Sequence, residues 1–538
     1  MKRVLSETPW VVLPLALIVV AHVCVDASSE PFYNNDETRH VMTGVFVRDA
    51  ISDGAWKSPK DYSVRYYLQY PALGLMVWPP LFYGVEGVWM SVFGTSFAGA
   101  KLLVGIFGVL AGISFYRLVR QSWEPLPASL ALLLFGFTPL IFSFSRQVML
   151  EIPCLAIALS AIFHFERFLS EGKRRDAWLA CLLAAFAALT RFDAVFLLPY
   201  FGLRLLLTGN LGLLRRGSVI GGIVVASLLT GPYYLFTWRE YGSTISQTVQ
   251  SGSSANATSF LDLRNFYYYP SVVPEQVGWF VTIAAIIGIA LTFRKAGRFL
   301  ALIAATYLTF TPMAEMDARH AIYWVPALAY FAVAACVTLA RWLNRSVVAV
   351  GLSIALTGGT AYVSMNITHF HVFGYEDAAS YVVANTHERP VVLMDGFLNG
   401  DFIYQVRRHD PERKLWVLRG DKLFYSMLCD PHAGYEEYAK SEREMLDLIY
   451  RFDPELIVLE EPQLYFELPA ATMLRQVIRA HPERYRLETS IPIRTDHFRF
   501  ANARLEIWRN LQRNPNREKR IEIDMLNLRK SLGAEMGK

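Results

Sequence analysis

A succession of apolar segments runs from residue 9 to about residue 368, and no other feature restricts the fold of this chain as strongly. A helix needs about 20 apolar residues to cross a bilayer, and fewer when it is buried within a bundle. The chain is 53% hydrophobic and only 18% charged, which is too apolar for an ordinary soluble domain. The pattern predicts a mainly α, polytopic membrane bundle of about eleven spans. The candidate spans are 9–26, 98–119, 126–143, 148–169, 177–190, 193–208, 218–238, 276–293, 298–314, 320–340 and 346–367.

Lysine and arginine clusters in the short connections predict the orientation, because cytoplasmic loops carry an excess of these residues. All the clusters face the cytoplasm if residues 71–93 stay outside as a juxtamembrane or re-entrant element. Pro71, Pro79 and Pro80 make that segment a poor straight helix. The amino terminus is then inside, and the small net charge of +5 reflects membrane orientation rather than nucleic-acid binding. The clusters are Lys2/Arg3, Arg117/Arg120, Lys173/Arg174/Arg175, Arg215/Arg216, Arg294/Lys295/Arg298 and Arg341/Arg345.

The last third of the chain is charge-rich and alternates strand and helix patterns from about residue 375 to residue 510. Apolar runs predict buried strands at 391–394, 415–418 and 456–459, and helical periodicity covers 442–452 and 470–480. This alternation indicates an extracytoplasmic α/β domain with a partly parallel sheet. The predicted division is 1–370 for the membrane domain, including a first outer loop at 27–97, then 371–510 for the α/β domain. Residues 511–538 form a basic tail, expected to be a solvated helix or disordered.

Four helix ends that this topology places outside combine acidic and basic side chains. Ionisable groups at the membrane edge are costly and usually face an internal cavity. The four ends therefore predict one polar site on one side of the membrane. They carry Asp36, Glu37, Arg39 and His40; Arg146 and Glu151; Arg191 and Asp193; and Glu315, Asp317, Arg319 and His320.

Asp36 and Glu37 open a predicted helix, so a helix cap is the simplest interpretation. Asn34 and Asn35 could cap that helix instead, and two adjacent carboxylates cannot both do so. A carboxylate left free there can take a proton from an acceptor hydroxyl as a general base. It can also hold a divalent cation through oxygen ligands, which leaves a metal cofactor as an open alternative.

The other polar residues each have a structural alternative. Arg146 and Glu151 form either an ion pair within their hairpin or contacts to a sugar or phosphate. Arg191 is either neutralised by Asp193 or free to bind a phosphate, whose oxygens match the guanidinium fork. His320 with Glu315 gives a weak indication of metal binding.

Aromatic residues are frequent in the first outer loop, where Trp78 and Tyr83 flank a proline pair. Aromatic residues commonly form belts at membrane interfaces, and stacking on a sugar is the functional alternative.

Together these residues resemble the family 39 type membrane glycosyltransferases, which include the protein O-mannosyltransferases and the aminoarabinose transferases. Asp36-Glu37-Thr38-Arg39-His40 resembles the Asp-Glu-x-Arg-Tyr signature of their first outer loop. Trp78-Pro79-Pro80-Leu81-Phe82-Tyr83 resembles the Lys/His-Pro-Pro-Leu-Tyr-Tyr element. Weaker matches are Glu151 with Pro153, Thr190-Arg191, and Arg319-His320 with Pro326. The resemblance covers about residues 5–370.

The resemblance implies a GT-C fold in a bacterial-type inner (plasma) membrane, with the active site on the extracytoplasmic face. It implies transfer of a sugar from a polyprenyl-phosphate donor to a lipid, glycan or protein acceptor, with inversion at the anomeric carbon. The expected partners are the donor, the acceptor and membrane lipids, and no nucleic acid is expected. The resemblance makes Asp36 and Glu37 the candidate catalytic residues, with Asp36 as the catalytic carboxylate and Glu37 as a neighbour that shapes the site. Arg39 and Arg191 would contact the lipid phosphate. The full set of candidate substrate-binding residues is Arg39, His40, Trp78, Tyr83, Arg146, Glu151, Arg191, Asp317 and Arg319.

Three residues depart from the family pattern. Trp78 replaces a basic residue, which removes one expected phosphate contact and gives Arg191 more weight; Glu151 replaces an Asp, and His40 replaces a Tyr. A lipid-linked sugar transporter or flippase is the main rival function, but that class usually shows inverted repeats and polar residues near the midplane. A ligand sensor is the second rival, although it would not need so many spans.

Overall fold

The computed structural model describes residues 2–25, 35–74, 78–251, 258–367, 370–427, 435–464, 466–495, 502–525 and 530–536. Helices dominate up to residue 365, and the described strands lie beyond it, from residue 372 onward. The helices are α1 (Lys2–Val25), α2 (Asn35–Ser52), α3 (Pro59–Gln69), α4 (Leu81–Phe93), α5 (Phe97–Arg120), α6 (Pro125–Gly136), α7 (Pro139–Phe144), α8 (Glu151–Glu171), α9 (Arg174–Ala188), α10 (Leu197–Leu207), α11 (Gly217–Ser251), α12 (Leu263–Val277), α13 (Trp279–Thr292), α14 (Gly297–Phe310), α15 (Val325–Trp342), α16 (Ser346–Met365), α17 (Tyr375–Asn385), α18 (Asn399–His409), α19 (Gly420–Leu423), α20 (Glu442–Phe452) and α21 (Pro469–Ala480). The strands are β1 (Val372–Phe373), β2 (Val391–Asp395), β3 (Trp416–Arg419), β4 (Tyr425–Met427), β5 (Tyr435–Glu437), β6 (Leu456–Glu461), β7 (Tyr485–Pro492), β8 (Arg494–Thr495), β9 (Arg504–Asn510), β10 (Arg520–Met525) and β11 (Lys530–Glu535).

Among the described residues, six helical segments are long and apolar enough to cross a membrane. A seventh span results if α12 and α13, bent by 119°, cross as one. Helices α4, α6 and α14 are also apolar but shorter than 18 residues, so length and composition among the described residues identify fewer spans than the predicted eleven. Prolines explain one of the breaks: the predicted span 126–143 is divided at Pro139, which cannot continue the hydrogen bonding of α6. The six segments are Glu7–Val25, Phe97–Arg120, Glu151–Glu171, Gly217–Glu240, Ala318–Trp342 and Ser346–Met365.

The bundle has an interior and an apolar outer surface. The segment containing α15 is its centre, with 83% of its apolar window buried. Gly288 lets α13 approach α15 closely, because a Cβ there would lie 1.8 Å from the Phe331 carbonyl oxygen. Large apolar side chains stay exposed on α11 and α16, with Leu235 at 74% and Val347 at 79%. Such exposure fits a surface that faces lipid rather than water.

The two ends of α8 mark two polar ends of the bundle. Glu166, near the last turn, pairs with Arg204 of α10, and its carboxylate lies 3.9 Å from Arg298 of α14. Arg298 also donates to the Leu118 carbonyl at the end of α5. We call this cluster the basic end. Glu151 begins α8 and, at 1.5 Å per residue, lies roughly 22 Å away along the helix; we call that end the site end.

Helices α2, α3 and α4 form a layer at the site end. As the prolines predicted, residues 71–93 do not form one full span: α4 has 13 residues and begins directly after Pro80. Helix α2 packs closely on α4, where a Cβ on Gly44 would lie 2.4 Å from a Glu86 carboxylate oxygen. The other side of α2 contacts α18, so this layer lies between the bundle and the carboxyl-terminal region.

The carboxyl-terminal region contains a five-stranded sheet in the order β3-β2-β6-β9-β7. Strand β2 is parallel to both β3 and β6, whereas β9 runs antiparallel to β6 and β7. The predicted strands and the partly parallel sheet are therefore confirmed, and α20 has the predicted bounds. Every residue of β2 and β3 is buried, as expected for strands covered on both faces.

The tail differs from its prediction as a solvated helix or disordered segment. Strands β10 and β11 pair as an antiparallel hairpin. Ile521 and Ile523 are buried between the charged residues Glu522 and Asp524. This alternation is typical of a strand with one buried face, and the basic composition of the tail obscured it.

Candidate active site

Asp36 lies in the first turn of α2 at the site end, with its side chain 31% exposed. Its carboxylate oxygens are 3.9 Å from an Arg39 nitrogen and 3.6 Å from an Arg319 nitrogen. Burial alone would raise the pKa of this carboxyl, but the charges of Arg319 and Arg39 outweigh burial and hold the pKa below its usual value. Asp36 is therefore an ionised and accessible base at neutral pH.

Arg319 joins two of the predicted helix ends. It lies in a 3-10 turn that begins at Asp317, whose carboxylate accepts the Arg319 backbone N–H at 2.9 Å and pairs with the guanidinium at 2.9 Å. The same guanidinium lies 3.8 Å from a Glu151 carboxylate oxygen and 3.6 Å from an Asp36 carboxylate oxygen. Arg319 thus connects the buried carboxylate of Glu151 with the accessible carboxylate of Asp36, and its own side chain remains 23% exposed.

Arg191 is enclosed instead. Its side chain is only 2% exposed and donates to Glu151 at 2.7 Å and to Asp193 through Nε at 2.9 Å. Its guanidinium also lies over the Trp78 ring at 5.5 Å. The alternative in which Asp193 neutralises Arg191 is therefore confirmed. Glu151 forms an ion pair with Arg191, which lies outside the hairpin of Glu151. A phosphate contact by Arg191 stays a prediction.

His40 and Tyr83 form a buried pair behind Asp36. The Nδ1 of His40 lies 2.6 Å from the Tyr83 hydroxyl, and the imidazole lies 5.7 Å from the Trp78 ring. Burial lowers the pKa of His40 to about 3; Asp36 acts in the opposite direction, but the charges of Arg191, Arg319 and Arg39 add to the effect of burial. His40 is therefore neutral at physiological pH and supports the site as an uncharged ring.

Glu37 and Arg146 have contacts of another kind. Glu37 is fully buried, and its carboxylate accepts the backbone N–H of Val148 at 2.8 Å, which ties α2 to the segment before α8. Arg146 lies over the Phe142 ring at 4.8 Å and donates to the Phe142 carbonyl at 3.3 Å. Both contacts are structural. They support neither the predicted catalytic role of Glu37 nor the predicted substrate contact of Arg146.

The carboxyl-terminal region reaches the site at positions that the sequence analysis did not select for it. Asn35, considered above only as a helix cap, donates its side-chain amide to the Phe397 carbonyl at 2.7 Å. Next to it, a Cβ on Gly400 would lie 2.4 Å from the Thr38 hydroxyl. Arg419 donates to the Pro71 carbonyl at 2.5 Å. No local pattern identifies these contacts, which join residues more than 300 positions apart.

A metal site was left open by the sequence. Within the described ranges, no group of three or more His, Cys, Asp or Glu side chains is arranged to hold a metal ion. The first-loop carboxylates Asp36 and Glu37 point to different partners, as described above.

Comparison with known proteins agrees with this architecture. A family model described as dolichyl-phosphate-mannose-protein mannosyltransferase matches residues 78–236. An uncharacterized protein from Aquifex aeolicus is 25% identical over 165 residues, which cover 30% of this chain and 32% of that protein. The aligned part therefore spans about a third of that relative's length.

Solved structures match over much more of the chain. The apo crystal structure of ArnT from Cupriavidus metallidurans superimposes with a TM-score of 0.60 at 14% identity, over 93% of this chain and 98% of ArnT. The same protein bound to undecaprenyl phosphate gives a TM-score of 0.58 at 14% identity, with the same coverage. The archaeal oligosaccharyltransferase AglB from Archaeoglobus fulgidus, in complex with an inhibitory peptide and a dolichol-phosphate, gives 0.52 at 12% identity, over 84% of this chain and 69% of AglB. The chain thus has the fold of the GT-C membrane glycosyltransferases across nearly its whole length, and its residues 78–236 match the mannosyltransferase family model.

Proposed function

We propose that this protein transfers a sugar from a polyprenyl-phosphate donor to an acceptor hydroxyl, with Asp36 as the general base. The observation that carries the proposal is the accessible carboxylate of Asp36 between two partly exposed guanidiniums, those of Arg39 and Arg319. The undecaprenyl phosphate bound to ArnT and the dolichol-phosphate bound to AglB support the donor class.

The reaction is a single displacement. The acceptor oxygen attacks the anomeric carbon while the bond from that carbon to the phosphate oxygen breaks, and the hydroxyl proton passes to the Asp36 carboxylate. The phosphate leaves with one more negative charge than it carried in the donor. Arg39 and Arg319 are the cations with exposed surface beside Asp36, and they are suited to stabilise that charge.

The same two arginines adjust the basicity of Asp36. Before the donor binds, they hold the pKa of Asp36 low, which makes the carboxylate a weak base. A bound phosphate competes for the guanidiniums, so the carboxylate loses part of its stabilisation and becomes a stronger base when it is needed. Arg191 lies behind Arg39 and Arg319, and its guanidinium donates to Glu151 and Asp193. We assign it a positioning role: it holds the Glu151 carboxylate, which in turn lies beside Arg319.

The proposed location is a bacterial-type inner membrane with the site end on the extracytoplasmic face. The arginines of the basic end are roughly 22 Å from Glu151 along α8, and the positive-inside tendency favours the cytoplasm for them. The acceptor is a lipid, glycan or protein hydroxyl.

A transfer assay tests the proposal. Purified protein is incubated with polyprenyl-phosphate sugars and candidate acceptors, and mass spectrometry follows the freed polyprenyl phosphate and the glycosylated product. We expect D36N to lose transfer by roughly a thousandfold, since a positioned base contributes about 10² to 10⁴. D61N, which changes an exposed carboxylate on α3, is the matched control and should transfer normally.

The product anomer, read by NMR, should be inverted relative to the donor. Near-normal transfer by D36N would remove Asp36 from its role. Movement of intact donor across the membrane without sugar release would favour the transporter instead.

A further inference from the structure

The carboxyl edge of the parallel strands faces the site. Strand β3 ends at Arg419, and the short helix α19 follows at once with Gly420, Asp421 and Lys422. Arg419 fixes this segment to the first-loop layer through the Pro71 carbonyl. Gln69, at the end of α3, donates to the Leu415 carbonyl just before β3 and so holds the opposite, amino end of the same strand. The carboxyl ends of parallel strands are where α/β sheets usually bind ligands.

Within the part of the chain that the structure describes, Lys422 at this edge forms no ion pair of its own. Its neighbour Asp421 is taken by Arg419, whose Nε donates to Oδ1 at 2.8 Å while Nη2 donates to the other oxygen. Among the hydrogen bonds and ion pairs between described residues, none involves the Lys422 ammonium.

Arg39 of α2 is close enough for its charge to act on both Asp421 and Lys422. Burial, together with the charges of Arg419 and Arg39, lowers the pKa of Lys422 to about 8, although Asp421 acts in the opposite direction. Arg39, whose ion pair with Asp36 is 3.9 Å long, and Lys422 therefore repel each other. An anion bound between these two cations would relieve that repulsion.

We propose that Lys422 binds the phosphate of the polyprenyl-phosphate donor together with Arg39, so that the carboxyl-terminal region forms part of the active site. This inference rests on the proposed function. The donor phosphate is the anion that the reaction always brings to Asp36, whereas an acceptor hydroxyl needs no charge. In the family pattern a basic residue stands at the position that Trp78 occupies in this chain. Lys422 thereby supplies the site with a cation that Trp78 does not.

Binding of undecaprenyl phosphate to the full-length protein tests the proposal, in nanodiscs of neutral phosphatidylcholine so that no lipid anion competes. K422M should bind roughly tenfold to a hundredfold more weakly, the range expected for the loss of a hydrogen bond to a charged group. K422R should retain most of the affinity. K414M changes an exposed lysine paired with Glu412 and should bind like the wild type.

D36N separates this proposal from the proposed function. It should bind undecaprenyl phosphate at least as tightly as the wild type, because a negative charge is removed, while losing transfer. Wild-type affinity in K422M would overturn the role of Lys422 and leave the function intact. Failure of the wild type to bind undecaprenyl phosphate would remove the proposed function and this phosphate site with it.

Discussion

Helix α8 carries one buried carboxylate near each end, and both are bonded to arginines, yet the two ends differ in what lies beside the ion pair. At the basic end, Glu166 accepts from Tyr200 at 2.9 Å and from Arg204 at 2.6 and 2.7 Å, and the set is closed. At the site end, Glu151 accepts from Arg191 and also approaches Arg319, which leads on to the accessible carboxylate of Asp36.

The comparison shows that ion pairs in a membrane protein do not by themselves mark an active site. A closed pair such as Glu166 with Arg204 satisfies its own desolvated charges and holds two helices together. The set at the site end differs in having an accessible carboxylate at its border: the Asp36 side chain is 31% exposed, whereas that of Glu166 is 3% exposed.

The largest difference is expected when an arginine is neutralised at each end. R319Q should lower transfer by about a hundredfold or more, because a charge-stabilising donor and the main partner of Asp36 are both lost. R298Q, at the basic end, should leave transfer nearly unchanged. Comparable losses in the two variants would erase the distinction.

The pH profile of R319Q gives a second measurement with a definite sign. Asp36 must be ionised to act as a base, so transfer falls as the pH drops through its pKa. Arg319 holds that pKa below its usual value, and its removal should therefore move the acid limb of the profile to higher pH. An unmoved acid limb would show that another group controls it.

Breaking the closed pair should affect stability rather than catalysis. E166Q leaves the Arg204 guanidinium without its carboxylate and should lower the free energy of unfolding by about 3 kcal/mol. Transfer per folded molecule should persist. E171Q, whose carboxylate is 38% exposed beside Arg167, should unfold almost like the wild type in the same thermal unfolding assay.

Glu37 tests whether adjacency to Asp36 implies catalysis. E37A leaves the Val148 N–H without its acceptor and should destabilise the protein by roughly 1 to 3 kcal/mol. E37Q keeps an oxygen in place and should retain most transfer, unlike D36N. If E37Q and D36N lose transfer equally, Glu37 is a catalytic residue, as the sequence analysis first predicted.

The smallest expected effect is the pH dependence contributed by Lys422. Its pKa of about 8 means that it is charged at pH 7 and loses its proton above pH 8, so the affinity for undecaprenyl phosphate should fall there by roughly tenfold or less. Arg39, Arg419 and Asp421 act on Lys422, and they do not titrate in this range; a bound phosphate raises its pKa and moves the fall upward. K422R should bind without this fall, and an identical profile in K422R would assign the pH dependence elsewhere.

Local patterns in the sequence predicted the elements well. Three buried strands, the helix Glu442–Phe452 and the interruption of residues 71–93 all follow from periodicity and proline positions. The resemblance added the fold. The alternation of Ile521 and Ile523 with acidic residues would also have revealed the tail hairpin, had it been weighed against composition.

Pairings between distant residues could not be predicted. Glu37 bonds Val148, 111 positions away, and Asn35 bonds Phe397, 362 positions away. Such pairs depend on helix packing, and the sequence offered only local partners such as Asp193 for Arg191. The contacts between the carboxyl-terminal region and the layer of α2, α3 and α4 therefore emerged only in three dimensions.

We propose that the open cluster around Asp36 performs transfer, while the closed cluster around Glu166 stabilises the bundle. The most direct test measures sugar transfer and thermal unfolding on D36N and E166Q side by side. We predict that D36N unfolds like the wild type but does not transfer, and that E166Q unfolds at lower temperature but transfers when folded. The reverse pattern, or transfer by D36N at the wild-type rate, would contradict the account.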